Sequence, residues 1–111
     1  RSESARSHTP YSQLIGPTGL IKHQSFRVGL FALIPDIDYA DHAHPADEVY
    51  IVLAGSGGWS LDGGPYQVKR AGDIIEIPSM MTHAMRTGTT PALTVYSWSG
   101  DDVSLDHYRF C

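Results

Sequence analysis

The sequence predicts an all-β protein built as an antiparallel jelly-roll barrel, and three observations predict it. About eight short runs rich in β-branched and aromatic residues follow one another from Ser25 onward. Glycine- and proline-containing turns separate them at close, regular intervals, and no segment reads as a helix. A chain of many short strands avoids exposed sheet edges best by wrapping into a double-sheet roll.

The runs are Phe26 to Ile34, Tyr39 to His44, Glu48 to Ala54, Gly58 to Leu61, Tyr66 to Lys69, Ile74 to Ile77, His83 to Arg86 and Leu93 to Trp98. Pro35-Asp36 closes the first, and Gly55-Ser56-Gly57 separates the third from the fourth. Asp62-Gly63-Gly64-Pro65 is a strong hairpin signal, since Asp-Gly accepts the positive φ of tight turns. Gly72-Asp73 and Gly88-Thr89-Thr90-Pro91 punctuate the later runs. Residues 1–24 show no sustained period and read as an N-terminal arm or linker, which leaves residues 25–111 as one barrel domain.

Composition narrows the function classes. The 111 residues suffice for one hydrophobic core, and the longest apolar run falls far short of a membrane helix. Net charge is −4 and the cations are scattered, so no basic stripe exists to neutralise a nucleic-acid backbone. The expected partner is a small molecule. Cys111 is the only cysteine, which excludes an internal disulfide framework and fits a reducing, cytoplasmic location. Because the chain begins at Arg1 with no apolar signal segment after it, a trimmed or processed N-terminus is expected. An edge strand or the arm offers a pairing surface for a homodimer.

Chemistry concentrates in the stretch from Tyr39 to Tyr50. On a strand, side chains two apart share a face, so His42 and His44 project together as a chelating pair. Pro45 bends the chain, after which Glu48 and Tyr50 share one face of the next run. His83, after the turn at Pro78 to Thr82, offers a fourth ligand. Imidazole with carboxylate suits Zn, Fe, Ni or Cu. A bare His-x-His is as readily a solvated pair beside a turn. The combined spacing of His-x-His-x3-Glu, then Gly55, then Gly72-x5-Pro78-x4-His83 is far more constrained.

That spacing resembles the two motifs of the cupin superfamily over roughly residues 26–98. The resemblance implies a cupin-type barrel and one divalent metal ion, Fe2+, Zn2+, Mn2+ or Ni2+, held by His42, His44, Glu48 and His83. There are departures. Asp36 and Met80 stand where the motifs have glycine, and Thr87 where they have Asn, which bears on turn geometry. Within the superfamily, His-Pro-Ala-Asp-Glu-Val-Tyr at 44–50, Ile51 to Gly57, His83-Ala-Met-Arg-Thr and Leu93 to Gly100 look like the bacterial dimethylsulfoniopropionate (DMSP) lyases. These cleave DMSP to dimethyl sulfide and acrylate by β-elimination.

By that resemblance Tyr50 matches the general base, while Tyr39 and Trp98 match aromatic positions around the substrate. The chemistry agrees with those residue types. A metal can absorb charge on the substrate carboxylate and promote ionisation of a nearby phenol. Aromatic faces such as Tyr39, Tyr96 or Trp98 would attract a sulfonium cation by about 0.5 to 2 kcal/mol each. Tyr96 and Trp98 also have a plain use as barrel filling, as does Trp59, and Met80, Met81 and Met85 read as core or pocket lining. Two other readings use the same ligands: an Fe(II)-dependent dioxygenase and a non-catalytic cupin that binds a small molecule.

Overall fold

The computed structural model describes residues 10–110. His8 and Cys111 lie outside them. Among the described residues there is no helix, and the strands run β1 (Ile15–Gly16), β2 (Ile21–Lys22), β3 (Phe26–Leu33), β4 (Asp38–Ala43), β5 (Asp47–Leu61), β6 (Gln67–Arg70), β7 (Ile74–Ile77), β8 (His83–Arg86), β9 (Ala92–Ser99) and β10 (Arg109–Phe110). No helix among them is long and apolar enough to cross a membrane.

One sheet runs β2-β1-β3-β9-β5-β7 and the other β10-β4-β8-β5-β6, so β5 belongs to both. The two runs expected at Glu48 to Ala54 and Gly58 to Leu61 are therefore one strand. Gly55 to Gly57 does not form a loop. Gly55 takes φ 76°, and a register shift between Val52 and Ala54 bends the strand from one sheet into the other. Any Cβ at Gly55 would stand 1.8 Å from the Pro91 carbonyl oxygen, which is why this corner needs glycine.

Inward residues alternate along β9: Ala92, Thr94, Tyr96 and Trp98 are buried, while the residues between them are less so. With Leu33, Tyr50, Val52, Trp59, Ile75, Ile77 and Met85 they fill the space between the sheets. Met80, read as core or lining, is 42% exposed instead. It occupies a turn at φ 62°, and its side chain leaves the barrel.

Asp36 has φ 58°, so both residues standing in place of motif glycines hold the left-handed conformation that glycine adopts freely. The turn geometry survives the substitutions. Thr87 ties its own turn together, donating its hydroxyl to Ile34 O at 2.6 Å and accepting from Ile37 N at 3.1 Å.

Residues 10–22 of the segment read as an arm lie along the outer edge of β3. Tyr11 bridges to Phe31, and the amides of Ser12 and Leu14 donate to Leu30 O and Val28 O. Gly29 permits this approach, since a Cβ there would meet Ser12 O at 1.8 Å.

Candidate metal centre

Two cross-strand rows build the site. Glu48 on β5 is paired with Trp98 on β9, which is paired with Arg27 on β3. The next inward row is Tyr50, Tyr96 and Gly29. Glu48 and Tyr50 thus sit side by side on one face, as residues two apart on a strand must.

His42 and His44 come from the other side, at the end of β4. Strict alternation would put Tyr39 on the opposite face from His42. A register shift between these two residues resets the pleat, so Tyr39 and His42 are both buried with ring centroids 4.6 Å apart. His83 opens β8 and pairs with His42, their ring centroids 4.0 Å apart.

The hydrogen bonds of the rings fix what they offer. Nδ1 of His42 donates to Ala40 O at 2.8 Å, Nδ1 of His44 to Ala46 O at 3.1 Å, and Nδ1 of His83 to Met81 O at 3.0 Å. A carbonyl oxygen only accepts, so each Nδ1 carries the proton and each Nε2 is left as the coordinating nitrogen. His44 Nε2 and His83 Nε2 stand 3.0 and 3.4 Å from the same oxygen, Glu48 Oε1. His83 Nε2 is fully buried and has no hydrogen-bond partner.

In the neutral tautomers, lone pairs face a carboxylate there. A cation between them resolves the conflict, and backbone bonds on the far nitrogens are the usual support of metal-bound histidine. His44, Glu48 and His83 each place a donor atom within 4.8 Å of the others, which is the spacing a single ion can bridge. His42 stands beside this trio and outside the set.

Electrostatics follow from the burial. Desolvation and the neighbouring His83 lower the His42 pKa to about 3. Burial alone would raise the pKa of Glu48, but when His44 and His83 are protonated on the facing Nε2 their hydrogen bonds and charge outweigh it and hold the carboxyl at about 2. The Tyr50 phenol is pushed well above its ordinary value, first by burial and then by the charge of Glu48.

Beside the trio is a cavity of about 60 Å³ lined by Tyr39, Tyr50, Tyr96 and Trp98, all four aromatics singled out in the sequence, together with His42, His44 and Glu48. Trp98 lies against His44, with ring centroids 4.2 Å apart. Tyr96 commits its hydroxyl to Ser12 O at 2.7 Å.

Sequence reasoning missed Arg27, which also lines the cavity, and the C-terminal strap that brings in Leu105 and Tyr108. Tyr108 stacks on His42 and His44 at 5.3 and 5.6 Å, and its hydroxyl meets that of Tyr39 at 2.5 Å. Tyr108 follows the last long strand and has no periodicity around it. The aromatic pair in Tyr108-Arg109-Phe110 was the one available signal.

A double-sheet barrel with three histidines and a glutamate turned into its interior is a cupin, and cupin barrels are among the solved structures that superpose on it. The chain belongs to the dimethylsulfoniopropionate lyase family, whose sequence profile matches residues 2–94.

The dimethylsulfoniopropionate lyase DddQ of Ruegeria pomeroyi is 33% identical over 88 residues, 79% of this chain and 44% of that protein. A chain from the crystal structures of the DMSP lyases RdDddP and RnDddQII superposes with a TM-score of 0.83 at 32% identity, covering 93% of this chain and 52% of the other. The acireductone dioxygenase of Gluconacetobacter diazotrophicus is 30% identical over 88% of this chain and 65% of its own length. The chain thus spans about half the length of the lyases it matches.

Proposed function

We propose that this domain is a metal-dependent carbon–sulfur lyase that cleaves DMSP to dimethyl sulfide and acrylate. The observation that carries the reading is the convergence of His44 Nε2, His83 Nε2 and Glu48 Oε1 on one point, with Tyr50 next along the same strand face as Glu48. His42, whose ring centroid lies 4.0 Å from that of His83, is the fourth donor in this reading and would have to move toward the trio to join it. A divalent transition-metal ion held there supplies a Lewis acid for the substrate carboxylate and a positive charge that offsets that of Glu48 beside Tyr50.

Tyr50, as the phenolate that a cation beside it would favour, acts as general base, takes a proton from the carbon next to the carboxylate and becomes the neutral phenol. The carbon–sulfur bond then breaks, dimethyl sulfide leaves with the bonding pair, and the two carbons form the double bond of acrylate. Burial of Tyr50 among Phe31 and Trp59 keeps water from competing for that proton. Tyr39 and Trp98, and with them Tyr96, give the small cavity aromatic walls suited to a sulfonium.

The test is headspace detection of dimethyl sulfide from metal-loaded protein given DMSP. Equimolar acrylate and dimethyl sulfide are expected. Absence of both, in protein shown to carry metal, ends this reading.

The likeness to an acireductone dioxygenase favours a second reading, an Fe(II)-dependent oxygenation at the same ligands. Oxygen separates the two. Elimination proceeds anaerobically, and turnover that stops without oxygen assigns the second reaction.

A further inference from the structure

Arg27 is the one cation lining the cavity among the described residues, and nothing in the proposed chemistry uses it. It is only 7% exposed, on the inward face of β3. Its Nε donates to Val103 O at 2.9 Å, and its guanidinium carbon lies 5.4 Å from the Trp98 ring centroid. None of the ion pairs among the described residues includes it. A buried guanidinium without a counter-charge is costly, and it retains donors in a fixed fork that matches a carboxylate.

The ring next to it has the same deficit, since Trp98 Nε1–H is buried without an acceptor. Both residues stand in the row that ends at Glu48, with Trp98 between Arg27 and Glu48 across the three strands. Arg27 also bonds the Tyr96 hydroxyl, and with its remaining donors and the Trp98 Nε1–H the cavity has a donor-rich wall beside the metal nest. Beside the guanidinium an anion is attracted, and the sulfonium is left to the aromatic faces of the cavity.

We propose that Arg27 is a carboxylate-binding residue of this cavity, one that fixes which end of a zwitterionic ligand faces the β3–β9 wall. Identifying that anion as the carboxylate of DMSP rests on the function proposed above. The subsite itself does not. A carboxylate has two oxygens, so contact with Arg27 leaves the other free for the metal.

The experiment is calorimetric titration of propionate and of its neutral amide, propionamide, into zinc-loaded wild-type, Arg27→Lys and Arg27→Met protein. Methionine keeps the apolar stem against Trp98 and removes the charge. Propionate affinity should fall about tenfold or more in Arg27→Met and recover in large part in Arg27→Lys, while propionamide binding is the same in all three. Metal content and near-ultraviolet circular dichroism should not change.

Propionate binding within about twofold of wild type in a folded Arg27→Met protein overturns the proposal. In the wild type the Arg27 Nε–H resonance should also move on propionate titration, a readout that needs no variant. A resonance that stays put overturns the proposal as well. If propionate binding depends on Arg27 but DMSP yields no dimethyl sulfide, the lyase reading falls and the carboxylate subsite stands. The converse result removes the subsite alone.

Discussion

Glu48 Oε1 lies 3.0 Å from His44 Nε2, while the other nitrogen of that ring is spent on the carbonyl of Ala46. His44 is thus held from behind and presented forward, and its loss removes a donor without disturbing the strand that carries Glu48. His44→Ala should lower metal affinity by more than the roughly 10- to 100-fold that loss of a supporting contact costs. Elemental analysis after dialysis checks it, and full stoichiometry in the variant would remove His44 from the ligand set.

Tyr50→Phe should keep both fold and metal, because the ring stays packed on Phe31 and Trp59 and only the hydroxyl is lost. Dimethyl sulfide release should fall by about 10² to 10⁴, the usual worth of a general base. Undiminished release would take Tyr50 out of the mechanism.

Met80 sits at φ 62° in the turn that donates its own amide to His44 O at 2.8 Å. A side chain in that conformation costs about 1 to 2 kcal/mol, part of which glycine gives back as chain entropy. Met80→Gly should therefore stabilise the fold by up to about 1 kcal/mol, read as a higher denaturant midpoint at unchanged slope.

Acid should destabilise the metal-free protein in two stages. His42 is lowered by burial and by His83 from 6.5 to about 3, so below pH 6.5 the unfolded chain binds a proton that the folded one refuses. Glu48 is held at about 2 against an ordinary 4.5, so its contribution is present above 4.5 and is lost as pH falls through about 2. Both shifts have the same sign, and stability should drop steadily as pH falls from 6.5. In chelator-treated His42→Gln the slope between pH 6.5 and 4.5, where Glu48 contributes none, should flatten. An unchanged slope there would show that His42 titrates normally.

The strand runs, the shared face of His42 and His44, and the adjacency of Glu48 and Tyr50 were legible because each follows from the two-residue period of a strand. So was the likeness to a family, carried by spacings that the site's geometry demands. Alternation failed where the pleat is interrupted. It cannot show that a register shift turns Tyr39 onto the His42 face, nor that Gly55 bends a single strand through both sheets instead of ending one.

By itself the sequence determined the class of fold and the order of the candidate donors along the chain, since these depend on local period and residue chemistry. Only tertiary structure decided what stands opposite them. Arg27 lies 71 positions before Trp98 and becomes its cross-strand neighbour through sheet pairing. Tyr108 reaches His42 and His44 because β10 closes on the edge of β4. Contacts of that kind join distant parts of the chain, and no local pattern in the sequence encodes them.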